Sequence, residues 1–391
     1  MRFSTWSLRT ARDASWQAPL ERLAWAVWIT LIAVVSAMAL VAPGRHSVMP
    51  VYHQATLDWW AGNDIYSHQV DSFNYLPSFA LLFSPFAWLG PPAGDLGWRW
   101  LSFGLLSAAL FRLAGLFRPD ESRRFLALVL LLATPAVAGM VRNGQATVIM
   151  TALMIHATVD VAGQRWNRAA LWLGLAIALK PLALVLALLF AALHRPLLWR
   201  SALALAVVLL MPFLHPDPAY VVGQYRDTVR QFAIGGNPGI GRWADLTMML
   251  YKFGLFVPYG VMTVVRLVAA LATLALCRIA LARRGAVAGA ADALTLAICY
   301  LMLFNPAAEQ NTYGALGCVL APFAAESIVA GESRWRSAAL VALCIALGSD
   351  GFGTTIFRAT ELWFKPLICV LFLAILLPRL LEKPAAPAAG S

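Results

Sequence analysis

Charged residues are scarce in this chain: they make up 13% of its 391 residues, whereas 61% are hydrophobic and the mean hydropathy is +0.72. Soluble domains carry about 25% charged residues, so the composition excludes an ordinary soluble protein and indicates a membrane protein with many spans. The net charge of +11 would by itself fit nucleic-acid binding. That interpretation is disfavoured, because the arginines stand in short turns between apolar segments, as in the cytoplasmic loops of membrane proteins.

The common motifs of metal and nucleotide sites are also missing, since the sequence contains no HExxH, no Cys/His cluster, no DxD and no Walker motif. Its five cysteines fall inside apolar segments, where a free cysteine behaves as a small buried hydrophobic residue. We therefore predict no metal site and no cofactor. Carboxylates from separate loops remain an open route to a bound cation.

Arginine occupies every second gap between the apolar segments. Cytoplasmic loops carry an excess of Arg and Lys, so we place these gaps, together with both chain termini, on the cytoplasmic side. The remaining gaps then lie on the outer side, and they contain mixed polar groups able to do chemistry. The basic gaps hold Arg118, Arg123 and Arg124; Arg165 and Arg168; Arg195 and Arg200; Arg278, Arg283 and Arg284; and Arg334 and Arg336.

A spanning helix needs about 20 apolar residues, or fewer if it is broken. About twelve apolar segments place every arginine-rich gap on the cytoplasmic side, provided that two segments are assigned as follows. Segment 77–89, which is short and contains Pro85, is placed in the outer interface. Segment 169–194 is divided at Pro181, because proline removes a backbone donor and kinks a helix. The first span is interpreted as a retained helix. The predicted spans are 23–42, 96–117, 125–141, 146–162, 169–180, 182–194, 200–214, 256–277, 288–304, 312–330, 337–348 and 361–381.

The sequence predicts one all-α polytopic domain over residues 1–382. Its two long outer loops are 44–95 and 215–255, and the glycines within 235–239 suggest a flexible, lid-like stretch in the second loop. Residues 383–391 are rich in Pro and Ala and are expected to form a disordered cytoplasmic tail.

The first outer loop contains candidate general bases and sugar contacts. The spacing over 51–61 fits an amphipathic helix in the membrane interface, which Gly62-Asn63 then ends. A general base requires a carboxylate or imidazole in a perturbed environment, whereas the alternative is that these groups are simply solvated. The candidate bases of this loop are His46, Asp58 and Asp71, and the candidate sugar or acceptor contacts are Tyr52 and Tyr75.

Three further outer features combine cations, amides and a carboxylate. In the gap that holds Arg142, Asn143 and Gln145, the guanidinium is suited to phosphate and the amides to sugar hydroxyls, although an ordinary tight turn is equally compatible. Lys180 stands in an apolar run, where it either snorkels to the surface or contacts a phosphate at a helix break. Late in the chain, Glu309 either caps the next helix or faces the site. Its neighbours Gln310 and Asn311 are further candidate sugar contacts.

A series of short motifs follows one another through the outer segments, over roughly residues 20–330. They are Val51-Tyr52, Trp60-Ala61-Gly62-Asn63-Asp64-Ile65-Tyr66, Phe73-Asn74-Tyr75-Leu76-Pro77 with Pro85, Asn143-Gly144-Gln145, Leu173-Gly174-Leu175-Ala176 with Leu179-Lys180-Pro181, and Asn305-Pro306. Each motif alone is common, but the ordered set is fairly specific. In this order they resemble the polyprenol-phosphate-mannose-dependent mannosyltransferases, glycosyltransferase family 87 of the GT-C superfamily.

The resemblance implies a GT-C-like fold with a site on the outer face and juxtamembrane helices in the first outer loop. It implies transfer of a hexose, usually mannose, from a polyprenyl phosphate to a lipid- or glycan-linked hydroxyl. The expected partners are then the polyprenyl phosphate sugar as co-substrate, the acceptor and membrane lipid, with no nucleic acid. We expect a multi-pass protein of the bacterial inner membrane that acts on cell-envelope glycans.

Two positions depart from the family pattern. The family has an aspartate four residues before the tyrosine, in Asp-(Leu/Phe)-x-Val-Tyr, and this acid resembles a catalytic base; here the position holds Val48, which cannot accept a proton. Where the family has Ser-Pro-x-x-Trp and histidines, this chain has Asn305-Pro306 followed by Glu309. Either the base is one of His46, Asp58, Asp71 and Glu309, or this branch of the family does different chemistry, or it is inactive. Lys180 and Arg142 are the expected donor-phosphate contacts.

Two other classes of protein stay open. A non-catalytic binder of a lipid-linked sugar is suggested by Val48. A lipid or solute transporter would place charges near the bilayer midplane and often shows an inverted repeat. The sequence has most of its charges at one face and no visible repeat, which favours the transferase over the transporter.

Overall fold

The computed structural model describes residues 4–69, 72–237, 239, 243–348, 352–361 and 364–381. Asp71 and the tail 383–391 lie outside these residues. The described chain is all-helical, without a β-strand, which agrees with the predicted fold class. Its helices are α1 (Ser4–Val41), α2 (Met49–Ala61), α3 (Pro77–Leu89), α4 (Ala93–Phe117), α5 (Ser122–Asn143), α6 (Ala146–Ala162), α7 (Trp166–Leu179), α8 (Leu184–Leu193), α9 (Arg195–Leu210), α10 (Pro218–Gly236), α11 (Leu246–Lys252), α12 (Tyr259–Phe304), α13 (Gly314–Val329), α14 (Arg334–Ala346), α15 (Phe352–Thr360) and α16 (Lys365–Leu381).

Within the described residues, six helical segments are long and apolar enough to cross a membrane, or seven if the bent pair α15 and α16 counts as one span. The chain is therefore a membrane protein with several candidate spans, but the predicted number of twelve is not confirmed. Several of the additional predicted spans are helices such as α6, with 17 residues, and α7, with 14, which are shorter than a full crossing. The six segments are Ala18–Val41, Ala93–Phe117, Ser122–Asn143, Arg195–Leu214, Tyr259–Phe304 and Gln310–Val329.

Helix α12 has 46 residues, which corresponds to about 69 Å if it were straight. Gly285 interrupts it with a φ of 78° and a ψ of 177°, outside the helical region. The interruption falls between the predicted spans 256–277 and 288–304. Two helices are therefore present where the sequence indicates two spans.

The predicted break at Pro181 is confirmed. Helix α7 ends at Leu179, and Lys180 adopts an extended conformation with a φ of −154° and a ψ of 113°. A short 3-10 turn at Pro181–Ala183 then leads into α8. Proline has no N–H and restricts the residue before it to extended conformations, so the chain leaves the helix at Lys180.

The two helices predicted in the first outer loop are also present. Helix α3 begins at Pro77 and ends at Leu89, as the segment 77–89 indicated. Helix α2 ends where Gly62 adopts the left-handed conformation, with a φ of 75°. Their place in the membrane interface stays a prediction.

The second outer loop is largely helical in its described residues, and helix α10 includes the first two glycines of the stretch 235–239 that was expected to be flexible. Asp217 caps α10 by accepting hydrogen bonds from the N–H groups of Ala219 and Tyr220. Pro218 occupies the first turn, where its missing N–H is not needed. Gly235 and Gly236 consequently form the last turn of α10 rather than an irregular lid.

Close packing of α5 against α13 brings two outer segments together. A Cβ atom at Gly317 would lie 2.3 Å from the Cβ of Ala136, and one at Gly314 would lie 2.6 Å from the Sδ of Met140. Glycine at these positions therefore allows the close approach typical of membrane helices. The end of α5 and the beginning of α13 meet here. The five cysteines are free and buried, as predicted.

Candidate active site

The turn between α5 and α6 is fixed by α4. Gly144 adopts a φ of 71°, and its N–H donates to carbonyl oxygens of the last turn of α5. Trp98 Nε1 donates to the carbonyl of Gly144 at 2.9 Å, and Arg99 Nη2 donates to the carbonyl of Arg142 at 3.2 Å. The left-handed backbone conformation at this position favours glycine. The turn therefore places Gln145 at the beginning of α6 in a defined position.

Glu309 lies directly against this turn. Gln145, which is 2% exposed, donates a hydrogen bond from Nε2 to Glu309 Oε2. Glu309 itself is exposed, and its side chain makes no capping hydrogen bond to the following 3-10 turn. The capping role that the sequence left open is therefore wrong. The carboxylate is instead held from one side by an amide.

Two tyrosines of the first outer loop lie next to this pair. The hydroxyls of Tyr52 and Tyr75 are 2.6 Å apart, and the N–H of Ala146 donates to Tyr52 at 3.1 Å. Burial raises the pKa of both phenols above the ordinary value, and the negative charge of Glu309 raises it further. Both tyrosines therefore stay neutral and act as hydrogen-bonding groups.

Lys180 reaches the same region from the break between α7 and α8. Its Nζ donates to Thr147 Oγ1 at 2.7 Å and lies 5.9 Å from the centroid of the Tyr75 ring. Burial lowers the pKa of the Lys180 amine, whereas the Glu309 carboxylate raises it. Among the described residues, no carboxylate lies within 4.0 Å of this amine. The cation thus has a neutral hydroxyl partner and remains suited to a bound anion.

Comparison with known proteins decides the family. The family model of glycosyltransferase family 87 matches residues 73–306, more than half of the chain. The chain belongs to glycosyltransferase family 87. No curated protein and no solved structure matches it. The matched region includes Gln145 and Lys180, and it ends three residues before Glu309.

Four amide oxygens of this glycosyltransferase are buried without a hydrogen-bond partner among the described residues. One belongs to Gln231 of α10, and the other three belong to the site segments, to Asn143, Gln145 and Gln310. A buried acceptor without a partner is destabilising by about 1–3 kcal/mol, so such groups indicate a missing donor. Hydroxyl groups of a sugar would supply it. Asn143 is additionally fixed through its carbonyl, which accepts the N–H of Val48 at 3.0 Å.

The other candidate residues differ in their surroundings. Asp58 accepts hydrogen bonds from Gln54 at 3.0 and 3.1 Å and from Asn63 at 3.5 Å, so its carboxylate is engaged on α2. His46 is exposed. Asp71 lies outside the described residues. Two remaining candidates, Arg142 and Asn311, are partly buried beside the site segments.

Sequence reasoning missed three residues that support the glycosyltransferase site. Thr147 is the second residue of α6, and its hydroxyl accepts a hydrogen bond from Lys180. Lys365, one of only four lysines, is 4% exposed and donates to the carbonyl of Gln310 at 2.8 Å. Asp95 joins α4 to α2 through a contact of 3.0 Å to His53. The rarity of lysine was the available signal for Lys365.

Within the described residues, no group of three or more His, Cys, Asp or Glu side chains could hold a metal ion. The chemistry assembled on the outer segments therefore consists of a carboxylate, an amine, amides and phenols.

Proposed function

We propose that this glycosyltransferase moves a hexose, with mannose as the first candidate, from a polyprenyl phosphate donor to a lipid- or glycan-linked hydroxyl. One observation carries the proposal: the beginning of α6 holds both groups, since Gln145 donates to the carboxylate of Glu309 and Thr147, two residues further on, accepts from the amine of Lys180. A transferase of this kind needs a base for the acceptor and a cation for the departing phosphate. These two groups meet that need.

The donor phosphate binds at Lys180, with Thr147 orienting the amine. Arg142 at the end of α5 is the second cation assigned to this phosphate. The prenyl chain lies between helices in the lipid. As the sugar leaves, negative charge develops on the phosphate oxygen, and a positioned cation stabilises it by about 3–4 kcal/mol.

Glu309 acts as the general base. It takes the proton of the acceptor hydroxyl, whose oxygen attacks the anomeric carbon of the donor sugar. The bond between that carbon and the phosphate oxygen breaks, and polyprenyl phosphate leaves with the electron pair. A positioned base contributes about 100- to 10,000-fold to the rate. Asn143, Gln145 and Gln310 accept hydrogen bonds from sugar hydroxyls, and no cofactor beyond the lipid-linked co-substrate is proposed.

The site is proposed to face the outer side of a bacterial inner membrane, with both termini cytoplasmic and twelve crossings in a GT-C-like arrangement. Helix α5 begins beside Arg123 and Arg124 and, after 22 residues or about 33 Å, ends at the turn that holds Gln145. The basic turn and the site segment are thus at opposite ends of this helix. The positive-inside rule then favours an outer site.

Donor use tests the function. The purified chain in lipid vesicles is given labelled mannose on polyprenyl phosphate or on guanosine diphosphate, together with lipids extracted from membranes. The proposal predicts label in the lipid or glycan fraction and release of polyprenyl phosphate only with the first donor. Transfer from the nucleotide sugar alone, or from neither donor, would contradict it.

A non-catalytic binder of the same lipid-linked sugar is the second candidate. It is favoured by Val48, whose N–H donates to Asn143 beside the site, where the family resemblance places an aspartate. Binding of labelled polyprenyl phosphate mannose without turnover would support this candidate against the transferase.

A further inference from the structure

A cavity lies between the end of α10, α11 and the beginning of α12. Its volume is about 300 Å³. Its lining includes one cation, Arg266, one carboxylate, Asp245, and the two phenols of Tyr251 and Tyr259. None of these residues has a role in the proposed reaction.

Arg266 is unusual for its depth. It stands seven residues inside the candidate span that begins at Tyr259, about 10 Å along the helix. A charge at such a position is costly, and it generally faces a partner or a functional cavity. In the described part of the chain, the buried Nε of Arg266 has no hydrogen-bond partner, and no carboxylate lies within 4.0 Å of the guanidinium.

Asp245 does not neutralise this arginine by direct contact. It is 4% exposed, and its carboxylate accepts the N–H of Met248 at 2.9 Å as the cap of α11. Burial raises the pKa of Asp245, whereas the hydrogen bond from Met248 and the charge of Arg266 lower it. The carboxylate is thus committed to the helix end, and the guanidinium keeps donors for an anion.

The cavity adjoins the segment that carries the proposed base. The N–H of Ala244 donates to the carbonyl of Ala308 at 2.7 Å, and Tyr313 donates to the carbonyl of Ala244 at 2.8 Å. Asp245 follows Ala244 in the chain, and Glu309 follows Ala308. The hydrogen bond between Ala244 and Ala308 therefore joins the segment that lines the cavity to the segment that carries the proposed base. Pro306, in the same segment as Glu309, lines the cavity.

We propose that this cavity binds an oxyanion, a phosphate or a carboxylate, carried by the sugar acceptor, with Arg266 as its ligand. The inference rests on the proposed transfer and adds that the acceptor is acidic. Tyr251 and Tyr259 line the part of the acceptor next to the anion. Two anions are then bound by two different cations, the donor phosphate by Lys180 and the acceptor by Arg266.

Binding to the full chain in detergent tests this without turnover. The probes are dodecyl mannoside phosphate, dodecyl mannuronide and neutral dodecyl mannoside, and their dissociation constants are measured by calorimetry. We expect at least one acidic probe to bind about tenfold more tightly than the neutral one. Arg266→Gln is expected to abolish this difference. Arg278→Gln, an exposed arginine of the same helix, is expected to keep it.

Equal binding of all three probes, or a preference retained in Arg266→Gln, would overturn the proposal. If Arg266→Gln does not fold, Arg266→Met, with its unbranched side chain, takes its place with the same expectation. In the transfer assay, Arg266→Gln should raise the KM for the acidic acceptor and leave that for the donor unchanged. A raised donor KM instead would overturn the acceptor assignment, whereas absence of transfer by the native chain contradicts only the proposed function.

Discussion

Gln145 and Glu309 are 164 residues apart in the sequence, and a hydrogen bond from Nε2 to Oε2 joins them. The contact exists because Gly314 and Gly317 let α13 pack closely against α5. Two segments that each look like an ordinary connection between apolar helices thus combine into one site. The amide fixes the direction of the carboxylate, which would otherwise rotate freely in an exposed position.

Replacing Gln145 by Glu tests this orientation. Two carboxylates at hydrogen-bond distance cannot both ionise readily, so the pKa of the pair is split and one value rises. We expect the acidic limb of the pH–rate profile to move to higher pH and the rate at neutral pH to fall about tenfold. Gln164→Glu adds the same charge at an exposed position beside a basic turn and should leave the profile unchanged. An unaltered pH–rate profile in Gln145→Glu would show that Gln145 does not contact the group that acts as the base.

Replacing Lys180 by Ala should weaken donor binding. The lost charge-assisted contact to phosphate corresponds to about 10- to 100-fold in donor KM. Lys252 offers a matched control, because its amine pairs with the exposed Glu361 at 2.5 Å and has no proposed contact to donor. Steady-state kinetics with varied polyprenyl phosphate mannose measures both variants. Similar donor KM values for the Lys180 and Lys252 variants would show that Lys180 does not bind the donor.

Alkaline pH should also weaken donor binding. Burial lowers the pKa of Lys180 from its ordinary 10.5, and only the protonated amine attracts phosphate. Donor KM should therefore rise as the pH increases through a value below 10.5. In Lys180→Arg the guanidinium stays charged throughout this range, so the donor KM of this variant should not rise at alkaline pH. A native profile that is flat, or one shared by both proteins, would contradict the assigned role.

A pair of glycines with positive φ in the outer segments provides a stability test. Gly144 and Gly62 have φ values of 71° and 75°, but only at Gly144 would a Cβ meet neighbours, with Met49 Sδ at 2.9 Å and Arg99 Cζ at 3.3 Å. Gly62→Ala should therefore lose about 1–2 kcal/mol from backbone strain alone. Gly144→Ala should lose more and also lose activity. Thermal unfolding in detergent measures both, and equal losses would show that the packing around the turn is unimportant.

Several parts of the fold could be predicted because their causes are local. Proline acts on its own turn and on the residue before it, so the break at Pro181 and the beginning of α3 at Pro77 followed from the sequence. Helix α10 shows the opposite case. Asp217 and Pro218 are local signals for the beginning of a helix, but the glycines at its end indicate flexibility, and the two signals conflict.

The assembly of the site could not be predicted in the same way. The contact of Glu309 with Gln145 depends on how α5 and α13 pack, and no local pattern encodes that distance. Likewise, Asp58 is an ordinary candidate base by residue type, and only the structure shows that Gln54 and Asn63 engage it. The number of spans is likewise not fixed by the sequence pattern, because α7 satisfies the charge alternation but, with 14 residues, is shorter than a full unbroken crossing.

The most direct test of the account is Glu309→Gln, measured for donor binding and for sugar transfer in the same vesicles. The variant keeps the shape of the side chain and removes its basicity. Glu332→Gln is the matched control, since Glu332 pairs with Arg336 at 3.2 Å in a basic turn. We expect native donor affinity in Glu309→Gln, a transfer rate lower by about 100- to 10,000-fold, and an unchanged rate in the control. A transfer rate in Glu309→Gln equal to that of the native chain would contradict this expectation.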